Sequence, residues 1–562
     1  MQRLELTWIG KGEDPEVEPR ILIHDPSKDY GDPDTGNMLI HGDNLLALKA
    51  LEQDYSGKIK CIYIDPPYNT GKAFEHYDDN LEHSTWLNLM KPRLVVLRNL
   101  LADDGLLFVQ IDDNEQAYLT VLLDEIFGRG NRLNTIVVKM SEASGVKMAH
   151  ADRRLPKLKE YILVYFKNQV PTITPEKTPV TEWNKEYKQL LVGIDEAEID
   201  ELHMLINSGD SATHSVLQRC NEILAKGKVV SLANWFKENA IPKGKQDAWK
   251  FAHSKFIVQA VGSSSVFRLA KKTELLDQDI MAVTSSTGLI YLINSRVDMN
   301  AKQPRVQVLF ASDNLLQNQG DLWLDIKTTG GVGQEGGVLF ANSKKPEKLI
   351  KKIISLCTSE GDLVLDSFLG SGTTAAVAQK MRRRYIGVEL GNHCFSLCKP
   401  RLDSVIDGEQ TGVSKELGWT GGGGYKFYEL APSLIKKDQY GNPVFSDEYN
   451  TDMLVAAVAK INGFTYAPDG DCFWKQGYSQ DNSFIFVTTQ YLTTAVLDSI
   501  ASDLKPIERL LVCASAFDLE LDKRYDSITV RKIPKSILDK CEYGVDNYNL
   551  NIVELPTCDD EE

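Results

Sequence analysis

The sequence predicts an α/β fold built on a mostly parallel sheet and broken by a domain-sized insertion. Residues 38–65 read strand–helix–strand. Residues 362–389 read strand–helix–strand again, with a glycine-rich first turn. Between about 170 and 320 this rhythm is lost and returns only at Gly361.

The bulk numbers bound the rest. At 562 residues the chain exceeds one ordinary domain and predicts about two to four. Hydrophobic content of 42% and charged content of 25% are those of a globular protein with a sizeable core. No apolar run approaches ~18 residues, which argues against a membrane span. Met1 to Trp8 lacks the apolar stretch of a signal peptide, so a cytoplasmic protein is expected. The 9 cysteines form no CxxC pair, and Cys394 and Cys398 have no matching pair downstream. Reduced thiols and no metal site are expected. The net charge of -16 argues mildly against nucleic acid, but charge is local. Lys139, Lys147, Arg153, Arg154, Lys157, Lys159 and Lys167 outnumber the acids among them, and Lys237, Lys243, Lys245 and Lys250 form a second cluster. Either set can hold phosphates, and either alone equally reads as solvated surface.

In chain order, residues 1–36 are proline- and acid-rich and predict at most a short strand pair. Met38 to His41 is a strand running into Gly42-Asp43-Asn44, and Leu45, Leu46, Leu48 and Leu51 give the next segment a helical face. Asp43 suits a helix N-cap and equally a contact to a ligand's amino group. Ile59 to Ile64 is a buried strand. Trp86 to Leu101 has helical spacing, Gly105 to Ile111 is a strand, and Glu115 to Phe127 is a helix closed by Gly128. Ile136 to Lys139 and Tyr161 to Phe166 are strands, and the basic, polar stretch from Ser141 to Lys159 between them reads as a mobile loop. In the insertion, Glu182 to Ile206 and Ser215 to Ala225 read as helices, followed by a β-like region in which Trp235, Trp249, Phe251 and Phe267 lie among lysines. Asp362 to Asp366 is a strand, a helix starts near Ala375, and Arg384 to Glu389 is the next strand.

Two stretches carry chemistry. Asp65-Pro66-Pro67-Tyr68 ends a buried strand, and its prolines force the backbone off the ladder. That leaves Asp65 at a carboxyl end, where α/β sheets bind ligands. A carboxylate, a prolyl carbonyl and an aromatic ring can grip an exocyclic amino group and stack on its base, as an enzyme acting on a flipped base requires. In isolation, a strand-ending turn with a solvated Asp weighs about evenly against this. The second stretch is Gly370-x-Gly372-x-x-Ala375, with Glu389 roughly 20 residues on. Its glycines admit a ligand to the backbone, and the acid accepts ribose hydroxyls. NAD and S-adenosyl-L-methionine enzymes both need that, so this motif alone does not separate them; hydride transfer has no use for Asp-Pro-Pro-Tyr.

With both stretches in hand, the chain resembles a β-class DNA amino-methyltransferase, and more closely the modification subunit of a Type III restriction-modification system. The resemblance covers residues 4 to about 430. It rests on Leu6 to Lys11, on His41-Gly42-Asp43-Asn44-Leu45, on IYIDPPYNTG from Ile62 to Gly71, and on FVQIDDNE from Phe108 to Glu115. It continues in DEIFGR from Asp124, VLDSFLGSGTT from Val364 to Thr374, and YKFYEL with Glu429. Asp-Pro-Pro-Tyr before the donor motif implies a circularly permuted Rossmann-like methyltransferase sheet. The implied division is an arm at 1–36, a catalytic half at 37–168, a target-recognition domain at 169–320, a donor-binding half at 321–432 and a small α+β domain at 433–562. Lys344-Lys345-Pro346 and Leu349 resemble the family's helix beside the donor pocket.

The resemblance implies methylation of adenine N6 in a short duplex DNA site, with S-adenosyl-L-methionine as donor. Asp65, Pro66, Pro67 and Tyr68 would act on the base, and Asp43, Asp366, Phe368, Gly370, Gly372, Thr373 and Glu389 would hold the donor. Implied partners are double-stranded DNA, a second copy of the chain and a separate restriction subunit, with no membrane. Alternatives are a solitary methyltransferase, cytosine-N4 methylation, a catalytically idle recognition subunit and an NAD-dependent oxidoreductase. No GxxxxGK[ST] loop is present, which argues against helicase chemistry in this chain.

Overall fold

A computed structural model of the protein describes residues 5–13, 17–18, 20–68, 82–141, 155–207, 213–326, 335–336, 344–437, 439–440 and 443–533. The expected loop at 69–72, most of the expected loop from Ser141 to Lys159 and the acidic end at 559–562 lie outside the described residues. The chain divides into two compact units, one of residues 1–175 and 320–562 and the other of residues 176–319.

The larger unit is organised by an 11-stranded mixed sheet. Its strands are β1 (Leu22–His24), β2 (Tyr30–Gly31), β3 (Met38–His41), β4 (Ile59–Ile64), β5 (Leu101–Ile111), β6 (Arg132–Lys139), β7 (Lys159–Phe166), β8 (Leu322–Trp323), β9 (Leu363–Asp366), β10 (Arg384–Glu389) and β11 (Gly424–Leu430). The order is β1-β11-β3-β10-β9-β4-β5-β7-β6-β8, with β2 paired to β11. The five strands β3, β10, β9, β4 and β5 are parallel, and β7 runs antiparallel to both neighbours. Strands from late in the chain therefore lie between strands from early in it, which is the circular permutation. The 1–36 arm departs from expectation: β1 and β2 do not pair with each other, but each adds antiparallel to β11.

Helices cover both faces: α1 (Asn44–Tyr55), α2 (Glu82–Leu100) and α3 (Gln116–Phe127) from the early segment, α4 (Glu347–Cys357), α5 (Thr373–Lys380) and α6 (Lys399–Ile406) from the late one. The period-2 alternation of each strand feeds two cores. Cys61 and Tyr63 pack with Phe108, Val364, Ile350 and Ala376, and Ile62 and Ile64 pack with Leu48, Leu94, Val109 and Leu122. With both faces covered, the central strands read as continuous apolar runs.

A buried charge cluster ties the late helices together. The Lys380 ammonium and the Arg401 guanidinium both reach the Glu347 carboxylate (2.7 and 2.8 Å), and Lys380 also pairs with Glu409. Glu347 and Arg401 are fully buried, where such charges persist only when paired.

The smaller unit centres on a 6-stranded antiparallel sheet with its own apolar cores. The helix expected over 182–206 is only Glu196–Ile206, because Gln189–Val192 pairs as a strand with Lys228–Ser231. Leu190 and Leu191 are both buried there, so the apolar run fits a strand enclosed on two sides. The helix His214–Leu224 lies where spacing put it. Residues 434–533 form a further small α and β segment around a 5-stranded sheet ending at Ile528–Lys532. Among the described residues, no helix is long and apolar enough to cross a membrane.

Candidate active site

The order of the sheet makes the site. From β9 the chain crosses to β10 on one side, and from β4 it crosses to β5 on the other. The crevice beyond the carboxyl ends of β9 and β4 is therefore a topological switch point, where open α/β sheets bind ligands. The register places Ile62 beside Leu365, so Asp65 and Phe368 each lie three residues past a paired position on adjacent strands. Asp366 pairs with Gly387 and Glu389 with His41, which brings Glu389 and the turn after β3 to the same edge. Two segments some 300 residues apart in sequence thus meet at one sheet edge.

At the β4 end, the two prolines stop the strand and the Pro67 carbonyl accepts the Trp86 indole N–H (2.7 Å). The Tyr68 hydroxyl lies 2.6 Å from Asp65 Oδ1 and 2.9 Å from Glu160 Oε2. The Lys345 ammonium donates to the Tyr68 hydroxyl (2.8 Å) and pairs with Asp65 Oδ2 (3.1 Å) and Glu160 Oε2 (3.3 Å). It also lies 4.9 Å from the centroid of the Tyr68 ring. Gln110 donates to Glu160 Oε2 (2.5 Å) and accepts from the Tyr63 hydroxyl (2.6 Å). Burial raises the Asp65 carboxyl above the usual range; Lys345 opposes that and Glu160 adds to it. Burial lifts the Tyr68 phenol well above its usual value. For Lys345, burial works against the ammonium, but Asp65 and Glu160 outweigh it and the net shift is upward.

At the β9 end, Gly370 (φ 57°) and Gly372 (φ 79°) adopt the left-handed conformation, which an L side chain rarely takes. A Cβ on Gly370 would meet nothing closer than 3.9 Å, so the backbone there is open to a ligand. The Asp366 carboxyl is buried and accepts from Thr374 Oγ1 (2.6 Å) and the Phe368 N–H (2.9 Å). Burial, helped by Asp65 and Glu389, outweighs those donors and pushes it up to about 7. The Glu389 carboxylate accepts the Gly370 N–H (2.6 Å) and pairs with His393 (2.9 Å), whose imidazole it raises. The Thr373 hydroxyl accepts from Arg401 (2.7 Å), so it anchors the loop to the buried charge cluster.

Asp43 is the N-cap of α1: one oxygen accepts the Leu46 N–H (2.9 Å) and the other pairs with Arg93 (3.3 Å). Fully buried Arg93 also donates to Asn44 (2.5 Å), and Asn44 donates to the Ser367 carbonyl (2.8 Å). The turn after β3 is thereby tied both to α2 and to the glycine loop.

The structure thus gathers Asp65, Tyr68, Asp366, Phe368, Gly370 and Glu389 at contiguous strand ends, whereas Asp43 and Thr373 are engaged in holding turns. Sequence reasoning gave no site role to Glu160, Gln110, Arg93 or Asn44, and named Lys345 only within the segment beside the donor pocket. The signal for two of them was present. Gln110 follows Leu106 and Phe108 on one face of β5, and Glu160 precedes Ile162 and Val164 on one face of β7. A polar residue on a core-facing position of a buried strand needs partners, and such partners mark sites.

The sequence profile of a DNA methylase family matches residues 59–200 and 199–399. The chain is 38% identical over 429 residues to the "probable type III restriction-modification enzyme HindVI Mod subunit" of Haemophilus influenzae, a match over 70% of this chain and 54% of that one. It is 26% identical over 515 residues to the "type III restriction-modification enzyme EcoP15I Mod subunit" of Escherichia coli, over 77% of this chain and 72% of that one. It is 29% identical over 364 residues to the "type II methyltransferase M.EcaI" of Enterobacter cloacae, over 63% of this chain and 66% of that one. The chain thus spans about half the length of the Haemophilus relative.

Proposed function

This chain belongs to the DNA methylase family, whose profile covers more than half of its residues, and from that membership we propose that it is a site-specific DNA methyltransferase acting on adenine N6. The observation that carries the reading is the register of β4 beside β9, with Asp65 and the glycine loop at the same end of adjacent strands. Similarity to proteins named as Mod subunits supports a Type III modification role. The partners proposed on that basis are double-stranded DNA, a second copy and a separate restriction subunit, in the cytoplasm.

The residues at β9 fit a cationic, ribose-bearing donor. Asp366 would take a cationic group, Glu389 the ribose hydroxyls, the open backbone at Gly370 the close approach, and Phe368 an apolar face; Asp43, whose oxygens are taken by Leu46 and Arg93, would position the turn. When bound, S-adenosyl-L-methionine supplies a methyl group on a sulfonium sulfur. An exocyclic amino nitrogen is a poor nucleophile because its lone pair is delocalised into the ring. Asp65 and the Pro66 carbonyl would accept its two hydrogens and favour the pyramidal geometry. The base would stack on the face of the Tyr68 ring, worth about 1–3 kcal/mol. Holding nucleophile and methyl in line does much of the remaining work.

Sequencing DNA from cells carrying the chain, with modified-base detection, should reveal one short motif bearing N6-methyladenine. Asp65→Ala should abolish that modification while donor binding by calorimetry survives. Loss of both to the same degree would count against the assignment of Asp65.

A further inference from the structure

We propose that Glu160, acting through the Tyr68 hydroxyl, receives the proton released when the amino group is methylated. The proposal rests on the methyl-transfer reading above and extends it to a step that reading leaves open.

The observation is a continuous chain of oxygen contacts: Asp65 Oδ1 to Tyr68 Oη at 2.6 Å, and Tyr68 Oη to Glu160 Oε2 at 2.9 Å. A phenol has one proton to donate, yet this oxygen lies at hydrogen-bond distance from two carboxyl oxygens. Both contacts are satisfied only when one carboxyl brings a second proton. That is the arrangement of a relay: two carboxyl groups joined by a hydroxyl that can accept on one side and donate on the other. Burial, which favours the neutral form of the Asp65 carboxyl, agrees with a proton held on this chain.

The neighbours fit the task. Lys345 is at 2.8 Å from the middle oxygen, 3.1 Å from Asp65 and 3.3 Å from Glu160. The ammonium therefore lies almost equally close to both ends of the relay and holds the Glu160 charge that the released proton neutralises. Gln110, held by Tyr63, donates to the Glu160 oxygen that accepts from Tyr68 and keeps it in place. Among the described residues, Asp65, Tyr68, Tyr63, Gln110 and Lys345 are the polar and titratable groups that face Glu160 from β4 and its turn, β5 and the segment before α4. Stacking uses the face of the Tyr68 ring and the relay uses its edge, so one side chain can do both.

The step balances as follows. The amino nitrogen forms a bond to the methyl carbon, the carbon–sulfur bond breaks, and its electron pair stays on sulfur. The nitrogen is then cationic. With the chain's second proton resting on Asp65 Oδ1, one of the nitrogen's protons passes to Asp65 Oδ2, the proton on Oδ1 passes to Tyr68, and the Tyr68 proton passes to Glu160. The product is a neutral N-methylated base and a neutral Glu160 carboxyl, which later gives its proton to water. Glu160 touches neither base nor donor in this scheme and is a positioning residue that acts on the reaction through Tyr68.

The test uses the full chain, a duplex containing its motif and single-turnover methylation followed against pH. Glu160→Gln keeps size and hydrogen-bonding capacity but removes the base. Donor affinity by calorimetry and base extrusion by 2-aminopurine fluorescence should match the parent. The single-turnover rate at neutral pH should fall by about 100-fold, the low end of what a lost base costs, and should recover as pH rises. Formate should restore part of the rate to Glu160→Ala, and Glu160→Asp should retain part of it. A Glu160→Gln rate close to that of the parent would overturn the relay. So would a slow enzyme whose pH profile merely parallels the parent's and whose Glu160→Ala form ignores formate, since that is a structural defect. Asp65→Ala separates the two levels: if it still methylates, the reading of the site fails, not the relay alone.

Discussion

At the residue scale, the site is governed by burial acting on charge. Asp366 is raised to about 7 chiefly because its carboxyl is buried, with Asp65 and Glu389 nearby. On the proposed reading a cationic donor would bind the ionised carboxylate, and it would then displace a proton whenever pH lies below that value. Donor affinity should therefore rise about tenfold per pH unit up to roughly 7 and level off above it. Asp366→Asn should flatten the profile, which calorimetry from pH 5.5 to 8.5 would measure. The sign for folding is the opposite. A carboxyl raised above its unfolded value favours the folded state at low pH, and that contribution is lost as pH climbs from about 4 to about 7. Residue types at the strand ends were legible in the sequence, because Asp-Pro-Pro-Tyr and the glycine loop are contiguous. Glu160 was not, because its role depends on a hydroxyl 92 positions away.

At the element scale, strands and helices followed period and punctuation where apolar patterning was unambiguous. Ile59–Ile64 and Arg384–Glu389 begin and end where their sequence boundaries put them. Two exceptions lie in the insertion: Gln189–Val192 is a short apolar run that fits either element until a partner strand is known, and Trp235, Trp249, Phe251 and Phe267, expected in a β-like region, lie on the helices Leu232–Glu238, Lys243–Ala252 and Ser264–Ala270. Helix packing behind the glycine loop was invisible in sequence. Arg401 joins Glu347 on α4 to Thr373 at the start of α5, so the loop is braced by a buried charge pair. Glu347→Ala would leave Lys380 and Arg401 buried without their shared partner. That should destabilise the larger unit by about 3–5 kcal/mol and weaken donor binding. Differential scanning calorimetry with and without donor would check it; an unchanged melting temperature would mean the cluster is not the brace described.

At the scale of the whole molecule, residues 176–319 begin and end side by side. Lys177 pairs with Asn318, and the Gln319 N–H donates to the Glu176 carbonyl (2.9 Å). An insertion with adjacent ends can be removed at little cost in chain entropy. Joining Pro175 to Gly320 through a short glycine-serine linker should leave a protein that melts cooperatively and binds donor, but methylates no specific site; calorimetry and modified-base sequencing would read the two properties. The α/β class and the DNA methylase family were determined by the sequence alone, because apolar period and two contiguous motifs are local properties of the chain. The neighbours of Asp65 were decided by the tertiary structure. Glu160 and Lys345 reach the Tyr68 hydroxyl across 92 and 277 residues of sequence, respectively. That meeting depends on β4, β7 and the start of α4 packing against one sheet, which no local pattern specifies.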